Sequence, residues 1–240
     1  MSVSEPLHHM RLPNESDAYR RARSALLQEE AELRRHIERV AELRRNLPLG
    51  GEIRQDYVFS EWDETADAPR EVRLSDLFSA EKDTLFLYSF MFIPDSSGNP
   101  IGSPCPSCTS IIDAVSGEAP HVSHRINLAV SAKAPIERFR QHSERRGWQP
   151  IRLLSAGNST YNRDYLAEGE DGSQFPMATV FVRRDGQIRH LWSSELFFVP
   201  NTEGETRHVD FMWPMWGIFD CTPEGRGENG PRMTYNPPSL

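Results

Sequence analysis

Apolar residues recur at steps of three, four and seven along residues 16–47, at Leu26, Leu33, Ile37, Val40 and Leu47. Arg20, Arg21, Glu29, Glu30, Arg34, Arg35, Glu38 and Arg45 fill the gaps. That period predicts a long amphipathic helix, stopped by Pro48 and Gly50-Gly51. Its narrow apolar stripe suits packing on a core, and it equally suits pairing with a second subunit in a homodimer. Past residue 50 the pattern shortens. Residues 56–60 read as a strand, 63–69 as a turn, and 74–78 as a short helical turn. Residues 84–92 are apolar on both faces, as a central strand covered on both sides requires. A polar loop with Gly98, Pro100, Gly102 and Pro104 follows. Pro106 then opens a short helix with Cys108, Ile111, Ile112 and Val115 inward and Gly117 at its end. Next come a strand at 125–131, a helix at 135–146 closed by Gly147, and a short strand at 151–154. A strand at 177–182 turns at Asp185-Gly186 into its partner at 187–193. Alternating strands and helices that end in a hairpin predict an α/β fold with a mixed central sheet flanked by helices. The expected organisation is an N-terminal arm and long helix over 1–50, the α/β domain over 51–225, and a flexible tail rich in Gly, Asn and Pro over 226–240.

Charge and composition narrow the function classes. Acidic residues number 35 against 27 basic ones, for a net charge of −8 in 240 residues. That balance argues against a nucleic-acid binder, which needs a basic face. No apolar run approaches the ~20 residues of a membrane span. The first residues show neither a basic start nor an apolar stretch of a secretion signal. Three cysteines exclude a disulfide-built scaffold. A reducing, cytoplasmic setting is expected, and the triplets at Asn14 and Asn158 then carry no glycosylation.

Chemistry concentrates at Cys105-Pro106-Ser107-Cys108, where a strand and loop feed a helix. Cys105 falls at the N-cap and Pro106 at the first helical position. The free N–H groups of Ser107 and Cys108, with the positive end of the helix dipole, favour a thiolate at Cys105. Its pKa is therefore expected below the ~8.5 of a free thiol. Cys108, one turn in on the buried face, is expected to keep its proton. Such a pair exchanges disulfides: Cys105 attacks, and Cys108 resolves the mixed disulfide.

A zinc finger is the competing use of these residues, because His121 and His124 follow Cys108. Only two residues separate the histidines, short of the usual spacing, so no metal is assigned and both are expected in a solvated loop. Cys221 is expected as a small buried apolar residue. Trp213 and Trp216 stand in a dense aromatic cluster that suits core packing or a hydrophobic wall beside the dithiol. His208, His190 and Asp210 are candidate proton acceptors for Cys108.

Together these segments resemble the bacterial thioredoxin-like family whose members are described as dithiol-disulfide oxidoreductases. The resemblance rests on the charged N-terminal helix running into Leu47-Pro48, on Asp56-Tyr57-Val58-Phe59, and on Leu74-Ser75-Asp76-Leu77-Phe78. It continues in Tyr88-Ser89-Phe90-Met91-Phe92, Cys105-Pro106-Ser107-Cys108, Val130-Ser131-Ala132-Lys133-Ala134-Pro135, Arg146-Gly147-Trp148 and Ser155-Ala156-Gly157. It closes on Trp213-Pro214-Met215-Trp216 and on residues 220–227. The resemblance implies a thioredoxin-like fold with an added N-terminal helix, and Cys105 and Cys108 as the redox pair. The chain departs from the family's pattern in the loop at 94–100 and in Cys221, where an aliphatic residue is more usual. Thioredoxin-like sites place a cis-proline at the start of the strand beside the dithiol. Pro176 is either that residue, and so part of the pocket wall, or an ordinary edge proline.

The function expected is thiol-disulfide exchange by Cys105 and Cys108, with Pro106 and Ser107 setting the helix start. It needs no organic cofactor or metal, and its partner is a protein or small-molecule disulfide or thiol. Two alternatives stand beside it. A thiol peroxidase would use Cys105 on peroxide; Thr109 is near such a site, but no arginine lies close in sequence. A non-catalytic binding protein would use the same fold as a scaffold.

Overall fold

The computed structural model describes residues 7–97, 99, 101–148, 150–200, 208–228 and 230–235. The chain divides into two units, residues 1–48 and 49–240. The first is built on helix α1, Asp17–Arg45. The Tyr19 N–H donates to Ser16 Oγ at 3.1 Å, so the first turn is capped by a side chain. The helix ends at Asn46, just ahead of Pro48, which disfavours a helical residue before it. No residue of α1 is buried, and its stripe residues Leu26, Leu33 and Ile37 are 52%, 60% and 59% exposed.

The second unit runs in order through β1 (Val58–Asp63), β2 (Ala68–Arg73), a 3₁₀ turn at Leu74–Leu77, β3 (Thr84–Phe90), β4 (Phe92–Ile93) and β5 (Ser103–Pro104). It continues through α2 (Pro106–Arg125), β6 (Asn127–Ala132), α3 (Ile136–Arg146), β7 (Arg152–Ser155) and α4 (Tyr161–Asp164). It ends with β8 (Met177–Arg184), β9 (Gln187–Ser193) and α5 (Pro214–Phe219). One sheet has the order β2-β1-β7-β6-β3-β8-β9. Strands β7, β6 and β3 are parallel; β8, β9 and β1 join antiparallel. The unit β3-α2-β6 followed by the β8–β9 hairpin, with β6, β3, β8 and β9 side by side, is the thioredoxin-like arrangement. At the hairpin, Asp185 and Gly186 take φ of 52° and 78°, the left-handed pair a two-residue hairpin turn demands.

Period-two alternation sorts the sheet into two apolar layers. Leu85 and Leu87 of β3 join Tyr57, Phe59, Leu74, Leu77 and Tyr161 on one face. Tyr88 and Phe90 join Ile111 and Ile112 of α2 and Phe139 of α3 on the other. The central strand is therefore covered on both sides.

Three expectations about elements change. Residues 68–73 form strand β2 rather than part of a turn. Only Val72 of that edge strand is buried, so it carried no alternation to read, and Pro69 is tolerated there. Helix α2 does not end at Gly117; it continues through Pro120 to Arg125, because Ala119 and Val122 keep its inner side apolar. His121 and His124 are thus exposed residues on a helix, not in a loop. Cys108 and His121, thirteen residues apart on one continuous helix, are separated by roughly 20 Å, which dissolves the finger geometry. Residues beyond Gly225 form no helix or strand among the described positions. Arg226 is nevertheless anchored there by Asp220 at 2.7 and 2.8 Å and Asp210 at 2.9 Å. Among the described residues no helix is long and apolar enough to cross a membrane.

Candidate active site

Strand β3 delivers the chain to the dithiol. Tyr88 pairs with Val130 of β6 and Ala178 of β8, which puts it on the same face as Cys108. At Met91 the chain leaves the sheet and forms the small β4–β5 hairpin, with Phe92 opposite Pro104 and Ile93 opposite Ser103. Asp95 Oδ1 organises the far end of this hairpin by accepting from the Ser97 and Asn99 N–H groups and the Ser97 hydroxyl. The chain returns so that the Cys105 N–H donates to Met91 O at 3.1 Å.

Cys105 is the N-cap of α2, with φ −65° and ψ 125°. Its carbonyl accepts the Thr109 N–H at 2.9 Å. Pro106 takes the first helical position, where an N–H would find no partner in the helix. Cys108 lies one turn in and is fully buried; Cys105 is 5% exposed. All three cysteines are free thiols.

The two thiols shift in opposite directions. Cys105 falls from the ordinary 9.0 to about 6. The largest cause is a hydrogen bond from the Cys108 thiol, working against the cost of burial; the N–H groups of Cys108 and Ser107 and the Ser107 hydroxyl add less. The Cys105 side chain closes no fully formed N-cap hydrogen bond. Among the groups that favour the Cys105 thiolate, the neighbouring S–H therefore outweighs the helix-terminal amides expected to lead. Cys108 is pushed up by burial and by giving its hydrogen bond to Cys105. The Tyr88 hydroxyl and the Met91 backbone offset part of that rise.

Two residues absent from the sequence candidates complete the surroundings. The Tyr88 O–H donates to Cys108 Sγ at 3.4 Å, deep in the core. A phenol in an otherwise apolar strand was the available signal, since a buried O–H needs a partner. Behind the first turn, Thr109 Oγ1 lies 3.0 Å from His142 Nε2. Burial, and then the nearby Arg146 charge, lower His142 from 6.5 to about 4, so its ring is neutral. Its place three residues after the buried Phe139 on an amphipathic helix was the signal there.

The proton-acceptor candidates fare differently. His190 packs on Tyr165 and Phe181, in the apolar layer opposite the thiols. His208 lies 3.2 Å from Ser194 Oγ through Nδ1, and burial lowers its pKa. Asp210 accepts from Arg226. None of the three makes the contact to Cys108 that Tyr88 makes.

Trp213 packs against the layer containing the dithiol, and its Nε1–H donates to Ser110 Oγ at 3.0 Å. Trp216 stands behind it, edge-on at 5.2 Å and beneath the Arg226 guanidinium. Pro176 is half-buried and directly precedes β8, whose Ala178 belongs to the thiol layer. It is not a cis-proline, for the described residues contain no cis peptide bond. Cys221 is exposed rather than buried, because it sits in the surface turn after α5. A groove of about 460 Å³ between the far half of α2 and the Met212 segment contains neither cysteine of the pair.

The family model described as "Bacterial protein of unknown function (DUF899)" matches residues 9–238. The chain belongs to that family. No curated protein matches this DUF899 chain. Among solved structures it is similar to the peroxidoxin BcpB from Mycobacterium tuberculosis, at 20% identity and a TM-score of 0.41, covering 70% of this chain and 95% of that one. It is also similar to the reduced 2-Cys peroxiredoxin of Plasmodium vivax, at 16% identity and a TM-score of 0.42, covering 68% and 95%. A conserved protein from Geobacillus kaustophilus gives 13% identity and 0.42, covering 66% and 75%. At these scores the fold assignment continues to rest on the strand order described above.

Proposed function

We propose that this DUF899 protein is a thiol-disulfide oxidoreductase that works through Cys105 and Cys108. The observation that carries this reading is the opposite shift of two thiols one helical turn apart: one is a thiolate at neutral pH, the other a protonated reserve. The Cys105 thiolate attacks one sulfur of a substrate disulfide, forming a mixed disulfide and expelling the other sulfur as a thiolate. Cys108 loses its proton and attacks Cys105 Sγ, forming the Cys105–Cys108 disulfide and releasing the second substrate thiolate. Two electrons pass from the dithiol to the substrate, and an external thiol reductant restores the pair. Pro106 and Ser107 set the helix start that positions both sulfurs, and Trp213 walls the layer in which they sit. Neither an organic cofactor nor a metal takes part in these steps.

One observation favours a second reading. A Cys105 that is 5% exposed admits a hydroperoxide more readily than a folded disulfide substrate. In that case the thiolate attacks the O–O bond, a sulfenic acid forms, the alcohol leaves, and Cys108 displaces water to close the same disulfide.

The test is oxidation of the reduced protein by a small disulfide and, separately, by an alkyl hydroperoxide, followed by intact mass and thiol counting. The reading expects loss of two thiols in one intramolecular bond in wild type. Cys108→Ser should stop at a mixed disulfide or a sulfenic acid, and Cys105→Ser should do neither. Oxidation of wild type that leaves Cys105 and Cys108 as free thiols would overturn it.

A further inference from the structure

Cys105 emerges directly from the second arm of the β4–β5 hairpin, and side chains from two other parts of the fold hold that hairpin in place. Gln174, in the segment leading to β8, pairs with both polar groups of the Phe92 backbone. The Phe92 N–H donates to Gln174 Oε1 at 3.1 Å, and Gln174 Nε2 donates to Phe92 O at 2.9 Å. Gln174 thereby takes the place of a neighbouring strand for the first arm. Arg138, one turn into α3, spans both arms. Its Nη1 donates to Ile101 O at 2.6 Å and its Nη2 to Gly102 O, while the guanidinium lies 5.4 Å over the Phe92 ring.

The arms also meet closely at Gly102. A Cβ there would fall 2.6 Å from both Ile93 O and the Asp95 N–H nitrogen, so the hairpin closes only around glycine. Phe92 and Ile101 of the two arms pack into the apolar layer that contains the thiols. The hairpin thus turns its apolar residues into the layer of Cys105, a helix-terminal thiol that is almost wholly covered.

We propose that the hairpin, clasped by Arg138 and Gln174, restricts the dithiol to small thiol-reactive substrates, low-molecular-weight disulfides or hydroperoxides, and shuts out disulfides on folded proteins. This rests on the redox reading above and adds its substrate class. Arg138 and Gln174 act on the chemistry only through the hairpin; they are specificity residues, distant in sequence from the motif they guard.

The experiment compares two reagents with the same reactive head, N-ethylmaleimide and a polyethylene-glycol maleimide, on the reduced Cys221→Ser protein, whose surface thiol is removed. The expected result is a preference for the small reagent on the order of tenfold beyond that of a free cysteine peptide. Arg138→Ala and Gln174→Ala each release two hydrogen bonds that hold the hairpin, so each should raise the bulky-reagent rate on the order of tenfold. The small-reagent rate should stay within about twofold. Gly102→Ala, which pries the same arms apart while leaving both clasp side chains in place, should raise the bulky-reagent rate as well, and near-ultraviolet circular dichroism identifies any variant that has lost its packing. A wild-type preference equal to that of the peptide, or unchanged bulky labelling in all three variants, overturns the proposal.

Substrate arms complete the test. Oxidised glutathione or tert-butyl hydroperoxide should oxidise the wild-type dithiol faster than insulin does, and whichever is faster identifies the chemistry. Insulin matching oxidised glutathione overturns the size limit. Because maleimide labelling needs no redox turnover, a protein that shows the size preference yet forms no disulfide with any oxidant defeats the redox reading alone.

Discussion

The Tyr88 hydroxyl donates to Cys108 Sγ at 3.4 Å, and neither side chain has exposed surface. Cys108 must lose its proton before it can resolve an intermediate, and burial opposes that loss. Tyr88 is the side chain that favours the Cys108 thiolate. Tyr88→Phe keeps the ring and removes the donor, a loss of about 1 kcal/mol. The resolving step should slow about fivefold, since 1.36 kcal/mol corresponds to a factor of about ten. Alkylation of Cys105 at neutral pH should change by less than about twofold. Single-turnover reaction with a chromogenic small disulfide checks this: the mixed disulfide should accumulate in the variant. Equal resolution rates in the two proteins would reduce Tyr88 to a packing residue.

With Cys105 at about 6, its alkylation rate should rise with a midpoint near pH 6 and be nearly level by pH 8. A free thiol is still climbing there. The same shift couples to stability in the reduced state. A thiol whose folded pKa is depressed stabilises fully above its unfolded value of 9.0 and loses that stabilisation as pH falls through 6. Cys108 has the opposite sign, since its folded pKa is raised: its contribution is full below 9.0 and fades at higher pH. Between pH 6 and 8 the Cys105 effect therefore dominates. The stability of reduced wild type relative to Cys105→Ser should grow across that window in urea titrations. A difference that stays flat would mean the Cys105 acidity is not coupled to folding.

How far the site could be read from the chain depends on whether a residue acts locally or across the sheet. Cys105, Pro106 and Cys108 were legible because their relation is one helical turn, and spacing alone expresses it. Strands β3, β6 and β8 were legible because their apolar runs outlast any neighbouring pattern. Tyr88, Gln174 and Arg138 were not, since each acts on the site through contacts 20 to 82 residues away in the chain. Strand β2 escaped for a different reason: an edge strand with one buried side chain has no alternation to display. The end of α2 was not legible at Gly117, because a local breaker signal yields when the helix's inner side continues to bury apolar residues.

His142 should make the protein acid-sensitive. Its ring is neutral in the fold, with its pKa lowered to about 4 from 6.5 by burial and by Arg146. Protonation is therefore easier in the unfolded chain, and stability falls as pH drops from 6.5 toward 4, then levels where the folded ring also titrates. His142→Gln keeps a partner for Thr109 and removes the titration. Its stability should decline less than that of wild type over that interval, by about 1 kcal/mol or more at pH 5. Parallel pH–stability curves for the two proteins would show that His142 charges without cost.

Glu61 ties the β1–β2 ribbon to the rest of the sheet, and removing its charge should loosen that edge without reaching the thiols. It is 6% exposed and lies on β1 directly opposite Arg70 of β2. Its carboxylate accepts from Arg70 at 2.7 and 3.0 Å and from Arg152 of β7 at 2.7 and 3.1 Å. The backbone register of β1 with β7 contains a single pair, Ser60 with Ser155, so the side-chain bridge reinforces a thin seam. Burial pushes the Glu61 pKa up, and the two guanidinium groups more than reverse it, leaving it below 4.5. A depressed carboxyl stabilises above its unfolded pKa and ceases to do so as pH falls through the folded one. Glu61→Gln should therefore cost about 2 kcal/mol at pH 7, below the ~3–5 kcal/mol for breaking a fully buried pair because Arg70 is largely solvated. The gap to wild type should narrow below pH 4. Hydrogen exchange should quicken in β1 and β2 while the Cys105 alkylation rate holds. A variant as stable as wild type at pH 7, or one whose loss is the same at pH 3 and pH 7, would place the hold on this edge in its packing and not in the carboxylate.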